Sequence, residues 1–405
     1  MKMKKKMLFA ALLTAASFAV GCTVTPTSST PISSTAPVSS VPSAPGSATE
    51  ASSSAEASPE LHLEYNPAIL QCTIASDCAY VDASGTLHYY PEFLKTGDIR
   101  DRMNPAPLDP TGLPDETSNV RSIYSTWGAV YAVMKDGTVK AQNRYMNSQQ
   151  IENEEQFVDE AKPILDEVPT WKNVFALNPV GYGGYSMEVP VLPLIYLVDA
   201  NGHNILKASD FLNDIGCTYL IAKEDQSHVV NQITVSNSTA ILCDNGHVYT
   251  YFDQICEITS EWEDIVQIAY SSDTLLGLKA DGTLLQVQYD FFSSNATVQT
   301  GYVAVPEQYC KGVMQLFELC LPNGAGASGL SLIQLADGTV YYPYEQKDLG
   351  KFEPLDQVFT STNGLSALTQ SGKVIRLTNM HFSDEPDFTD WLQSQTHLPA
   401  TVGRK

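Results

Sequence analysis

Seven histidines, at positions 62, 88, 203, 228, 247, 381 and 397, are the first residues to examine for metal or acid–base chemistry. No two form His-x-His or His-Glu-x-x-His, the spacings that set two imidazoles on one ion along a single strand or helix. The sequence thus offers no metal site and argues against a zinc enzyme. No Gly-x-Ser-x-Gly elbow is present, nor a Gly-rich phosphate loop ending in Lys-Ser or Lys-Thr. The run Asp199-Ala-Asn201-Gly202-His203-Asn204 lacks the ligand pattern and closing Glu of a calcium loop and reads as a hairpin turn. The acid pairs Glu154-Glu155 and Asp384-Glu385 could serve general acid–base work only by converging in a cleft, and they read as solvated loops. No catalytic residue and no cofactor is expected.

Of eight cysteines, Cys22 stands apart from Cys72, Cys78, Cys217, Cys243, Cys256, Cys310 and Cys320, and none makes Cys-x-x-Cys. Cys72 and Cys78 flank a break between two adjacent apolar strands, where a cross-strand disulfide is geometrically plausible. An exported protein could keep such a bond.

The elements that would carry any site repeat along the chain. An alternating apolar strand, a break, a second apolar strand, a polar-Gly turn and a third strand recur seven times: Leu70–Tyr90, Val120–Ala141, Trp171–Leu206, Asn231–Tyr251, Trp262–Val287, Gly312–Tyr342 and Leu355–Leu377. The turn glycines are Gly85, Gly137, Gly202, Gly246, Gly282, Gly338 and Gly372. Asp-Gly, Asn-Gly or Ser-Gly supplies the positive φ that joins right-twisted strands. A lone hairpin cannot bury its apolar face, so neighbouring copies must cover it. Seven copies in the roughly 345 residues from Glu60 onward give about 49 residues per unit, the period of propeller blades. The expected fold is all-β, a seven-bladed β-propeller over residues 60–405, with room for a fourth strand in each unit. Residues 379–405 suit either a terminal loop or a closing segment.

Ahead of this body, residues 1–21 join a basic stretch, Lys2 to Lys6, to the apolar run MLFAALLTAASFAV and then Ala19-Val20-Gly21-Cys22, an export signal. The apolar run is short for a bilayer span of about 20 residues. Residues 22–59 are nearly all Ser, Thr, Pro and Ala after the cysteine, and with almost nothing to bury they are expected to form a disordered tether. The 405-residue chain carries a net charge of −23, which falls to −27 once the four leader lysines are removed. Such a surface repels phosphate backbones, so nucleic acid is not an expected partner.

The Gly21-Cys22 junction resembles the lipobox of bacterial lipoproteins, with Ala19 where Leu is commoner. That resemblance implies lipidation of Cys22, a membrane anchor and an extracytoplasmic location. The repeats resemble those of the regulator of chromosome condensation type in their divergent bacterial form, most clearly in Trp262-Glu-Asp-Ile through Asp281-Gly-Thr-Leu and in Trp171-Lys-Asn-Val. The resemblance covers most of residues 62–378 and implies the propeller. The family's Gly-Gln-Leu-Gly segment after the third strand is missing, so exchange-factor or chromatin activity does not carry over. WD-type framing and recurrent kelch glycine pairs are absent.

Alternating strand directions put the breaks and the segments after third strands at one end, opposite the Gly turns. Insertions Asn178–Pro193 and Glu318–Gly329 enlarge that end. Trp127, Tyr182 and Tyr185 fall in breaks, while Phe291 and Phe292 follow a third strand. Rigid aromatics give contact area at low entropic cost, so these five are the candidate binding residues. The expected function is a non-catalytic, monomeric module that binds an exported or cell-surface protein or glycan. Three alternatives stay open: an inhibitor of an exported enzyme, since one branch of the resembling family blocks β-lactamases through aromatic propeller loops, a polysaccharide-active enzyme with converging carboxylates, and a purely structural role in the cell envelope with no saturable partner.

Overall fold

The computed structural model describes residues 61–95, 112–125, 129–143, 167–180, 194–205, 228–235, 238–250, 253–271, 274–288, 304–320, 327–379 and 386–403. The chain divides into two units, Met1–Glu56 and Ala57–Lys405, and all described residues belong to the second.

Among the described residues there are seven antiparallel sheets, each built from consecutive strands. Sheet 1 comprises Ile74–Ala75, Ala79–Val81 and Leu87–Tyr89; sheet 2, Val120–Ser125, Ala129–Met134 and Val139–Asn143. Sheet 3 comprises Ala176–Val180, Leu194–Val198 and Asn204–Ile205; sheet 4, Val229–Val235, Ser238–Cys243 and Val248–Thr250. Sheet 5 comprises Ile265–Ser271, Thr274–Lys279 and Leu284–Gln288. Sheet 6 comprises Val313–Cys320, Ala327–Leu335, Thr339–Tyr342 and Lys347–Lys351, and sheet 7 comprises Leu355–Ser361, Gly364–Thr369 and Val374–Arg376. A fourth strand is described in sheet 6 alone. In sheets 1 and 4 the third strand is followed by short helices, Pro91–Lys95 and Asp253–Thr259.

The first strand of each sheet touches the first strand of the next, and that of sheet 7 touches that of sheet 1. The arrangement is β-propeller-like. Its core is divided among the seams between sheets: Leu87 packs with Val130 between sheets 1 and 2, Leu276 with Ile333 between 5 and 6, and Leu332 with Ala367 between 6 and 7.

Two local devices join neighbouring sheets. The first is the turn. At Gly137 (φ 80°) Asp136 Oδ1 accepts the Thr138 N–H at 2.9 Å, and a Cβ would lie 3.2 Å from the Asn173 backbone. Glycine is required there both for its φ and for the close approach. The Gly137 carbonyl accepts the Val174 N–H just ahead of sheet 3, and Gly85, Gly246, Gly282 and Gly338 likewise accept from Val120, Ile265, Val313 and Phe352.

The second device is a register shift near the start of the first strand, between Val120/Ser122, Val229/Asn231, Ile265/Gln267, Val313/Gln315 and Leu355/Gln357. The polar residue that follows can reach across the seam: Gln267 Oε1 accepts the Leu316 N–H at 2.8 Å, and Gln357 Oε1 accepts the Thr73 N–H at 2.7 Å. The latter bond joins sheet 7 to sheet 1.

Residues 386–403 complete that seam. In the helix Phe388–Ser394, Phe388 and Trp391 pack against Tyr90, and Trp391 also meets Tyr80. Asp387 caps the helix and takes a bidentate pair from Arg376 at 2.8 and 2.9 Å. Beyond the helix Pro399 bridges Asp82, the Ala400 N–H donates to Val81, and Asp356 accepts from Val402 and Gly403. Of the two roles open to this segment, closure is the one it fills. At the other terminus, residues 61–70 cross the turn end: Leu63 N–H donates to Ala280 of sheet 5, the Tyr65 hydroxyl to Val230 of sheet 4, and Pro67 lies against Gly202 of sheet 3.

The expected Cys72–Cys78 disulfide is corrected by the register. Ile74 pairs with Tyr80 and Ala75 with Ala79, so Cys78 falls opposite Ser76, four positions along the strand from Cys72. At about 3.3 Å per residue that offset, about 13 Å, exceeds the ~7 Å Cα limit for a bridge. Cys78 instead sits in the seam between sheets 1 and 2, and Cys72 packs beside Tyr124 and Leu177 in the next seam; the two are not bonded to each other.

Candidate functional site

A cavity of about 170 Å³ is lined by residues from the first strands of all seven sheets, among them Ile74, Tyr124, Asn178, Asn231, Gln267, Glu318 and Gln357. The period-2 alternation that buries one face of each first strand between sheets leaves Asn231, Gln267 and Gln357, three of the register-shifted polar residues, at this meeting point. Ile69 and Leu70 also line the cavity, contributed by the segment that crosses the turn end. Asn178 Nδ2 donates to Asn231 Oδ1 at 3.2 Å, and Gln357 Nε2 donates to Thr73 Oγ1 at 2.6 Å.

Glu318 is the one acid among the described lining residues. Its Oε1 is shielded from solvent and has no hydrogen-bond partner among the described residues. Burial pushes its carboxyl up to about 8, so at neutral pH it is largely a neutral acid able to donate a hydrogen bond into the cavity. Asp77, next in the chain to the lining residue Ser76 and in the break of sheet 1 (φ 52°), is pushed up to about 7, first by burial and then by the charge of Asp387.

The residues singled out from sequence, Cys22, Trp127, Tyr182, Tyr185, Phe291 and Phe292, lie outside the described residues. Their chain positions relative to described strands are clear. Ser125 and Ala129 are the strand ends opposite the Gly137 turn and Val180 and Leu194 those opposite the Gly202 turn, and residues 126–128 and 181–193 follow Ser125 and Val180 in the chain. Residues 291 and 292 follow the third strand of sheet 5, whose Gln288 pairs with Thr274 at that same end. Ser125, Asn178 and Glu318 line the cavity close to where these connections leave. The strands Ala176–Val180 and Val313–Cys320 extend into the stretches expected to be insertions.

A second cluster was invisible to spacing rules. His203 in the turn of sheet 3, His228 ahead of sheet 4 and Asp244 in the turn of sheet 4 bring one ligand atom each within 4.8 Å of the others. The three come from separate segments, so no spacing rule brings them together, and only the packing of sheet 3 on sheet 4 assembles them. Asp199, in the run that read as a hairpin turn, does form one, with Oδ1 accepting from Asn201 and His203 at 2.8 and 2.9 Å.

No family model and no curated protein sequence matches the chain. Among solved structures, the chain is similar to a computationally designed protein, Ika8, at 14% identity over 82% of this chain and 90% of that one, with a TM-score of 0.34. It is similar to Prp20p of Saccharomyces cerevisiae at 10% identity over 75% and 70% of the two chains (TM-score 0.28), and to the C-terminal domain of gp131 of bacteriophage phiKZ at 9% over 78% and 91% (TM-score 0.39). At these scores the fold assignment rests on the circuit of sheets in this chain itself.

Proposed function

We propose that the chain is a seven-bladed β-propeller, held outside the cytoplasm by lipid on Cys22 and a tether over 23–59, that binds a protein or glycan without chemistry. The observation that carries this reading is the circuit of seven first strands around one cavity. In that circuit the strand ends joined by the first-to-second-strand connections lie at one end, opposite the Gly turns. Loops on a rigid scaffold are where binding residues concentrate. Trp127, Tyr182 and Tyr185 belong to those connections, and Phe291 and Phe292 follow a third strand that ends beside them.

The test is capture from the organism's own surface and secreted fraction on the immobilised full chain, with Trp127, Tyr182 and Tyr185 replaced together by Ala as control. A saturable protein or glycan retained by the wild type and lost by the control is expected. Equal retention by both, with unchanged circular dichroism, would sink the assignment of the binding face.

A further inference from the structure

We propose that His203, His228 and Asp244 bind a divalent transition ion, Zn²⁺ or a close analogue, which clips sheet 3 to sheet 4. His203 Nε2 lies 3.6 Å and His228 Nδ1 3.1 Å from the same Asp244 Oδ2. Zn–N and Zn–O bonds of about 2.0–2.2 Å in a tetrahedron give ligand–ligand edges of about 3.3–3.5 Å, so both separations match with small adjustments. Two imidazoles and one carboxylate suit Zn²⁺, Co²⁺ or Ni²⁺ better than Ca²⁺ or Mg²⁺, which take oxygen sets. With three protein ligands on a partly exposed surface, the fourth position falls to water.

The surroundings are built for such a site. The other ring nitrogen of His203, Nδ1, lies 3.9 Å from Asp199 Oδ2, beyond hydrogen-bond distance but on the side where a carboxylate orients a metal-bound imidazole. Asp199 is itself fixed by its bonds to Asn201 and His203 N–H, and Asp244 Oδ1 accepts the His228 N–H at 3.0 Å. The rings of His203 and His228 stack at 4.3 Å and 8°. Parallel rings cannot aim two lone pairs at one ion, so loading requires one to turn about its Cβ–Cγ bond. His228, with 62% of its side chain exposed, is the one able to do so.

The location also gives the ion a use. Every other seam of the ring has a hydrophobic cluster spanning two sheets. Outside those clusters the described aliphatic residues buried on sheets 3 and 4 are few, Ala176 and Val198 on the one and Val229 and Ile241 on the other, and at their seam the two sheets are joined also by the Asn178–Asn231 bond and by the Tyr65 hydroxyl on Val230. An ion joining the turn of sheet 3 to the turn of sheet 4 would fasten that seam.

The test is calorimetric titration of the untagged, chelator-treated full chain with Zn²⁺, with the visible absorption of Co²⁺ as a readout of coordination. One equivalent of Zn²⁺ is expected, and at free Zn²⁺ about a hundred times the dissociation constant the folded-to-unfolded ratio should rise about a hundredfold. His228→Ala, at an exposed position that leaves the fold intact, should weaken binding at least about tenfold and abolish the Co²⁺ bands; Asp244→Asn should do the same, and His397→Ala should change nothing. No saturable binding below about 1 mM, or binding retained in both His228→Ala and Asp244→Asn, would overturn the site.

Discussion

Replacing Gln357 by Ala should open the seam where the chain's two ends meet. Gln357 is 3% exposed; its Oε1 takes the N–H of Thr73 at 2.7 Å and its Nε2 donates to Thr73 Oγ1 at 2.6 Å. Thr73 is 2% exposed, and in the wild type its N–H has Gln357 Oε1 as acceptor. An orphaned buried donor costs about 1–3 kcal/mol, and the lost side-chain packing adds about 1 kcal/mol, so the expected loss is about 2–4 kcal/mol. Gln357→Met keeps most of the volume and should still lose about 1–3 kcal/mol, which separates the hydrogen bond from the packing. Gln393→Ala removes an exposed side chain whose Nε2 donates to the Val374 carbonyl at 3.1 Å and should cost only about 0.5–1 kcal/mol. Urea unfolding followed by circular dichroism measures all three. A loss at Gln357 no larger than that at Gln393 would refute the claim that this bond joins the ring.

Asp387→Asn should destabilise by about 3–5 kcal/mol, because it leaves Arg376 without its bidentate partner and weakens the cap of Phe388–Ser394. The Asp387 carboxyl is held well below the usual range by its bonds to Arg376 and Ser361, which outweigh its burial. Wild-type stability from this group is therefore present above the unfolded carboxylate range and lost as pH falls, and an acid titration should show that slope reduced in the variant. Glu318→Gln should behave oppositely. With its folded value raised to about 8, ionisation costs the native state stability progressively as pH rises from the unfolded value of 4.5, so the variant should match wild type near pH 4 and exceed it by about 2–4 kcal/mol near pH 9. An unchanged difference across that range would show Glu318 to be solvated. Cys22→Ser should move the chain from the membrane fraction to the soluble exported fraction, as seen by fractionation and blotting; retention in the membrane would exclude the lipid anchor.

The seven repeats were legible because their signal is local. Gly85, Gly137, Gly202, Gly246, Gly282, Gly338 and Gly372 all take φ between 79° and 88°, as a turn after Asp, Asn or Ser demands. The seams were not legible. Gln267 and Gln357 look like ordinary polar residues in apolar strands until a register shift turns them toward the next sheet's backbone. The partner of Gln357 is 284 residues away, and no local pattern reports it. The Cys72–Cys78 expectation failed on register, since adjacency of strands does not set which residues face each other. His203, His228 and Asp244 failed the motif search for the reverse reason: their meeting depends on how two sheets pack, and sequence spacing carries no trace of it.

The most direct test of the recognition reading is titration of the captured partner against two sets of variants by calorimetry. Trp127→Ala, Tyr182→Ala and Tyr185→Ala combined should weaken binding at least about a hundredfold, since a few buried aromatics carry most of an interface's energy. Lys172→Ala with Glu263→Ala, exposed and beside Gly137 and Gly246 at the turn end, should leave the affinity within about twofold. Loss at the turn end with full affinity in the aromatic variant would contradict the account.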